Sequence, residues 1–158
     1  FLDLADLEEM PGVSGMIDER LAQRAHAALP LLVPDADAVA REAGRGTADY
    51  VMARRIPGLA KAVLRLLPGP VAAPILARAI ARNAWTFAGS GRFDVHKGPP
   101  LTLVIGSNPL AGADGCHWHS AVFERMFRVL ADDRLRVTET ACCRKGAPAC
   151  RFEVSRVS

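Results

Sequence analysis

The sequence predicts an α+β fold, with a helical N-terminal half packed on a four-stranded antiparallel sheet whose two hairpins are separated by one long helix. Apolar residues recur at helical spacing as far as Asn83, and beyond Trp85 they alternate in strand-length runs punctuated by Gly and Pro. Composition is even along all 158 residues, half of them hydrophobic and 23% charged. That predicts one domain over 1–158, able to bury a core of its own or as a homodimer.

Residues 1–13 read as a lead-in. Ser14 is then the expected N-cap of an amphipathic helix with Ile17, Leu21, Ala25 and Leu29 on one face, Asp18, Glu19, Arg20 and Arg24 on the other, and Pro30 as its end. The segment 1–42 is also a candidate dimer face. Asp35 or Asp37 caps a short helix to about Ala43, which Gly44 and Gly46 break before Thr47 caps another carrying Tyr50, Val51 and Ile56. Helices are expected over 58–67, with Leu59, Val63, Leu66 and Leu67 as a core-facing stripe, and over 71–83, with Ile75, Leu76, Ala79 and Ile80. Pro68-Gly69-Pro70 is the turn between them.

Trp85-Thr86-Phe87 and Gly89-Ser90-Gly91 then supply aromatic and turn residues in place of helix formers. Phe93, Val95 and Lys97 alternate with Arg92, Asp94 and His96, and after Gly98-Pro99-Pro100 a second strand over 101–105 completes a hairpin. A loop over 106–115 leads into a helix that starts just beyond Cys116 and reaches about Ala131. Its rows Ser120, Phe123, Phe127 and Val122, Met126, Leu130 suit a sheet, leaving Glu124, Arg125 and Arg128 for solvent. Strands over 135–141 and 151–157 form the second hairpin.

A formal charge of +3 is too mild to point to nucleic acid. Arg54, Arg55, Arg78 and Arg82 read as a solvated helical face, with an anionic small ligand as the sharper alternative for some. The acidic N-terminus has no basic stretch followed by an apolar core, so it is not read as a secretory signal. The longest apolar stretch, 56–80, is interrupted by Pro57, Pro68, Pro70 and Pro74 and carries Lys61, Arg65 and Arg78, which argues against a transmembrane segment. The expectation is a cytoplasmic protein, where a reducing medium makes clustered cysteines metal-binding or catalytic more often than disulfide-bonded.

All four cysteines, Cys116, Cys142, Cys143 and Cys150, lie within 116–152. Gly146 and Pro148 let the chain between Cys142 and Cys150 turn back, and Cys116 opens a helix whose positive end favours a thiolate. Those three are candidate zinc ligands, with Glu139, Cys143, His117 or His119 as the fourth; a disulfide and unmetallated buried thiols are the alternatives. On a regular strand Glu139 and Cys142 point to opposite sides, which argues against pairing them unless the strand ends or bulges in between.

Cys116, then Glu139-Thr140-Ala141-Cys142, then Gly146-Ala147-Pro148-Ala149-Cys150-Arg151-Phe152-Glu153 resembles the end of the vinyl-4-reductase domain family. The resemblance implies a small-molecule-binding fold similar to that of phenol sensors and vesicle-tethering subunits. It implies a zinc held by three cysteines and a glutamate, at Cys116, Glu139, Cys142 and Cys150 here, with Cys143 an extra thiol. Thr47-Ala48-Asp49-Tyr50, Ala53-Arg54-Arg55-Ile56-Pro57 and the run from Ile80 to Phe93 are similar to the family's bacteriochlorophyll-biosynthesis branch, named for reducing the 4-vinyl (8-vinyl) group of divinyl tetrapyrroles.

A vinyl reductase needs a hydride from a nicotinamide or flavin, and no Gly-rich strand-to-helix fingerprint for such a cofactor is evident. A metal closed by four protein ligands is structural. The expected function is therefore a carrier that binds a porphyrin or protochlorophyllide intermediate and delivers it to a pathway enzyme such as magnesium chelatase. Reductase and sensor for another hydrophobic ligand are the alternatives, and whether the chain is an enzyme stays open. Candidate pocket residues are Trp85, Phe93, Val95, Ser120, Phe123 and Val137, against plain core packing; no residue is assigned a catalytic role. His96, His117 and His119 are weaker candidates to ligate a porphyrin's central metal, since such histidines are more often hydrogen-bonded structural residues.

Overall fold

A computed structural model describes residues 18–157. Its order is α1 (Glu19–Leu32), α2 (Ala36–Arg54), α3 (Gly58–Leu66), α4 (Gly69–Arg82), α5 (Trp85–Ala88), β1 (Arg92–His96), β2 (Leu101–Gly106), α6 (His117–Leu130), β3 (Leu135–Ala141) and β4 (Ala149–Arg156). The four strands form one antiparallel sheet in the order β1-β2-β4-β3. The two hairpins join through β2 and β4, with Ile105 opposite Cys150 and Leu103 opposite Phe152. The α+β expectation therefore holds, including the long helix between the hairpins.

Several boundaries differ from the sequence reading. The lead-in over 1–13, Ser14 and Ile17 lie outside the described residues. The N-cap of α1 is Asp18, whose carboxylate accepts from Arg20 N at 2.7 Å. Pro30 does not end this helix, which continues to Leu32. Placed in the last turn, the proline forfeits only one backbone donor, and Val33 N still reaches Leu29 O at 3.0 Å.

Gly44 and Gly46 do not break the chain either, because α2 is one helix of 19 residues. Gly44 is buried where α2 crosses α6, and a Cβ there would stand 2.5 Å from Trp118 O and 3.0 Å from Ala121 Cβ. The glycine therefore serves close approach of two helices, and that packing outweighs its poor helix propensity. Thr47 is no cap; its hydroxyl donates back to Ala43 O at 2.9 Å, one turn earlier in the same helix. Trp85 and Phe87 fall in the single-turn helix α5, where residue type alone indicates a break in helical structure.

The stripe assigned to the third helix faces the wrong way. Leu59 is 79% and Leu66 84% exposed, while Leu64 is the residue that α3 buries. On α4 the buried row is Ala72, Ala73, Leu76, Ala77 and Ile80, with Ile75 and Ala79 outside it.

The core lies between the sheet and α6, which buries Val122, Phe123, Met126, Phe127 and Leu130 as its spacing requires. Phe123 meets Phe152 of β4 at 5.4 Å between ring centroids, edge to face, and Phe93 of β1 at 6.0 Å. Burying each such phenyl ring contributes about 1.5–3 kcal/mol. Across the other side of α6, α2 adds Ala48, Val51 and Met52.

Two glycines two positions apart thus have opposite roles. Gly46 is exposed and a Cβ there would meet nothing within 4 Å. Gly44→Ala is expected to lower stability by about 1–3 kcal/mol, because helix backbone must shift, whereas Gly46→Ala should raise it by about 0.5–1 kcal/mol. Urea denaturation midpoints of the two variants would check both signs.

Candidate metal centre

The end of β3 decides which side chains can meet. The β3–β4 register shifts between Glu139 and Ala141, and β3 stops at Ala141, so strict alternation no longer separates Glu139 from Cys142. A 3-10 turn over Cys143–Lys145 then reverses the chain, and Cys150 enters β4 fully buried. Cys116 arrives from a third direction, as the residue preceding α6.

These elements bring Cys116, Glu139, Cys142 and Cys150 together with all ligand atoms within 4.8 Å of one another. Cys116 Sγ lies 3.4 Å from Cys150 Sγ and 3.9 Å from Cys142 Sγ. A disulfide would need about 2.05 Å, and all four cysteines are free thiols. Sulfurs at two corners of a tetrahedron about a zinc ion stand about 3.8 Å apart, given Zn–S bonds of about 2.3 Å. The donor set therefore fits one tetrahedral, thiophilic divalent ion.

The carboxylate is held in place before any metal is considered. Both Glu139 oxygens accept from Cys116 N, at 3.1 and 2.9 Å. Gly115, at φ +137°, makes that possible, since a Cβ there would lie 2.8 Å from Glu139 Oε2. Asn108 is a supporting residue that the sequence reading missed. It is buried, and its amide donates to Cys116 Sγ at 3.5 Å and Cys150 Sγ at 3.6 Å, while its Oδ1 accepts from Leu110 N. Its only sequence signal is Asn108-Pro109 in a loop otherwise read as a connector.

The thiols are not equivalent. A hydrogen bond from the Cys116 thiol draws Cys150 down to about 5, with help from Cys143 N–H and Asn108 and against the cost of burial. As the donor in that bond, and through its burial, Cys116 is pushed far above the thiol range. The helix end is expected to favour the thiolate at Cys116, and hydrogen bonding places the more acidic thiol at Cys150 instead. Cys143, half-buried, sits 3.4 Å from Cys150 Sγ at the edge of the cluster, and burial raises its thiol.

Neither histidine after Cys116 joins this set. His117 accepts at Nδ1 from Arg41 at 2.8 Å, leaving its Nε2 proton facing Asp37 Oδ2 at 3.1 Å. His119 is fully buried and donates from Nε2 to Phe87 O at 3.0 Å, while its Nδ1 has no partner. His96 is exposed at the end of β1.

Of the candidate pocket residues, Phe93 and Phe123 come into ring contact in the core. Ser120 and Val137 line one cleft of about 110 Å³ with Arg41, Arg45, Glu124, Arg125 and Arg128. Val95 is half-buried against the core, and Trp85 is half-exposed on α5, away from that cleft's lining. A second cleft of about 40 Å³ borders the metal cluster at Gly115, Cys116 and His117 and is closed by His26 and Trp118.

Residues 109–156 match the vinyl-4-reductase domain, a span that contains Cys116, Glu139, Cys142 and Cys150. The chain is 48% identical over 147 residues to the bacteriochlorophyll synthase 23 kDa chain of Cereibacter sphaeroides, covering 89% of this chain and 71% of that protein. It is 42% identical over 154 residues to the bacteriochlorophyll synthase 23 kDa chain of Rhodobacter capsulatus, covering 94% and 72%.

Burial holds His119 at about 3, well below the ordinary imidazole value of 6.5. The unfolded chain binds this proton first, so the stability contribution is complete above about pH 6.5 and is lost as pH falls from there toward 3. The loss should approach a slope of about 1.4 kcal/mol for each step of one in pH. His119→Gln, which keeps a donor for Phe87 O, should flatten the pH dependence of the denaturation midpoint between pH 6 and pH 4.5 by about that slope.

Proposed function

The chain belongs to the family of the bacteriochlorophyll synthase 23 kDa chain, and on that premise we propose that it works in bacteriochlorophyll biosynthesis as a tetrapyrrole-binding protein. It binds a porphyrin or divinyl protochlorophyllide intermediate and passes it to a pathway enzyme such as magnesium chelatase. The relationship to those 23 kDa chains carries the reading. Supporting it, Phe123, in edge-to-face contact with Phe93, lies one turn along α6 from the cleft residue Ser120, and the cleft combines Val137 with Arg41, Arg45, Arg125 and Arg128. Apolar surface with a rim of guanidinium groups suits a flat macrocycle that carries carboxylates. Ligand pockets typically enclose about 300 Å³ or more; a macrocycle seated here would place only its carboxylate edge inside the cleft. Trp85, half-exposed, and Val95, half-buried, are the remaining members of the proposed ligand surface.

In this reading Cys116, Glu139, Cys142 and Cys150 hold a structural zinc, which ties the start of α6 to the ends of β3 and β4. Three thiolates and a carboxylate leave net negative charge around a divalent ion, which the N–H groups of Asn108, Cys143 and Cys116 offset. The family branch named for vinyl reduction keeps a 4-vinyl (8-vinyl) reductase as the second reading. Gly89-Ser90-Gly91 joins helix α5 to strand β1, the reverse of the strand-to-helix order used to bind a dinucleotide, which favours the carrier.

Metal analysis of the purified protein is expected to find about one zinc per chain. Cys150→Ser should lose that zinc and several kcal/mol of stability, roughly the 3 kcal/mol or more typical of losing a structural metal ligand or buried network. A metal-free protein that is fully folded would remove the structural-zinc reading.

Titration with a magnesium divinyl porphyrin should quench Trp85 and Trp118 fluorescence and shift the porphyrin's absorption, and Arg125→Ala with Arg128→Ala should weaken the complex by about tenfold or more. No spectral change would remove carrier and reductase together. Reduction of the vinyl group by the purified chain with NADPH or a flavin would establish the reductase instead.

A further inference from the structure

Helices α3 and α4 present apolar residues to solvent at helical spacing. On α3 these are Leu59, Val63 and Leu66, at i, i+4 and i+7, and on α4 they are Val71 and Ile75, one turn apart. With Leu59 and Leu66 about four-fifths exposed, this is more than the scatter of single apolar residues found on any protein surface. The two helices pack against each other, joined by Leu67-Pro68.

The charge around them is one-sided. From Tyr50 to Phe93 the sequence holds no Asp or Glu, although the whole chain has 17, and it holds Arg54, Arg55, Lys61, Arg65, Arg78, Arg82 and Arg92. Arg78 and Arg82 continue the row of Val71 and Ile75 along α4 and are exposed with it. Lys61 donates to Met52 O at 3.0 Å and Arg65 to Val129 O at 3.3 Å, backbone contacts that leave their charge uncompensated. Among the described residues none of Arg54, Lys61, Arg65, Arg78 and Arg82 pairs with a carboxylate.

We propose that α3 and α4 form a docking face for an anionic lipid bilayer, with Leu59, Val63, Leu66, Val71 and Ile75 entering the headgroup–acyl boundary and the arginines meeting lipid phosphates. The proposal stands independently of the tetrapyrrole reading. An aliphatic stripe bordered by Arg and Lys, without a single acidic residue, matches the charge and polarity gradient of such a surface. A protein surface is typically a mixture of both charge signs and would leave these cations without regular partners. The guanidinium and ammonium groups can reach phosphates while their stems lie along the apolar rows. No described helix is long and apolar enough to cross a membrane, so α3 and α4 lie in its plane.

Co-sedimentation of the purified full chain with vesicles tests this. Binding is expected to phosphatidylglycerol–phosphatidylcholine vesicles, to be weak on pure phosphatidylcholine, and to fall as salt is raised. Leu59→Ser with Leu66→Ser, at exposed positions that leave the core intact, should weaken binding by about tenfold or more. Arg78→Gln with Arg82→Gln should weaken it on the anionic vesicles and remove the preference for them.

Failure to sediment with anionic vesicles overturns the proposal, as does equal binding by the Leu59→Ser, Leu66→Ser variant. A lipid-independent dimer that this variant converts to a monomer, with no change in sedimentation, would assign the face to a second copy of the chain and equally overturn it.

Discussion

The sulfur of Cys150 is the point at which three separate pieces of the chain meet. Cys116 approaches it from the start of α6, Cys143 N–H from the turn after β3, and the Asn108 amide from the loop after β2. Each contact spans a different sequence separation, so the cluster closes several loops at once. That is how a short segment can fix the hand and position of α6 over the sheet. Glu139, bound to Cys116 N, adds the fourth corner and carries the constraint into β3.

The rest of the architecture follows from where that cluster puts α6. Once its first turn is anchored, the row Val122, Phe123, Met126, Phe127 lies on the sheet, and the opposite side receives α2 through the glycine notch at Gly44. Close approach of the two helices brings Arg125 to within 2.9 Å of Asp49 and Arg41 to His117, pairs that are exposed and therefore contribute specificity of register more than stability. The cleft lined by Ser120, Val137 and the arginines is a product of this same packing. Its chemistry depends on α2 and α6 being held at a distance that only a glycine allows.

Legibility in the sequence varies with the kind of signal. The strands of the second hairpin and the rows of α6 are legible because alternation and helical spacing there coincide with deep burial on one side. Glu139 is harder, because a regular strand places it opposite Cys142 and nothing in residue identity announces the register shift before Ala141. Its place in the ligand set comes from the family resemblance. Asn108 escapes notice because an Asn-Pro pair in a loop reads as punctuation, and its role depends on two sulfurs that come from 8 and 42 residues away.

The amino-acid sequence by itself determined the periods of the elements, the α+β order and the spacing of the cysteines and glutamate that a metal needs. Those properties are local, set by side-chain geometry along a helix or strand. The tertiary structure alone decided which face of each helix is covered. Leu59, Val63 and Leu66 share a row by spacing, and whether that row is core or surface depends on the neighbours of α3, which bury Leu64 instead. The same holds for Gly44, a helix breaker by propensity, which a passing backbone at Trp118 makes the place where two helices touch.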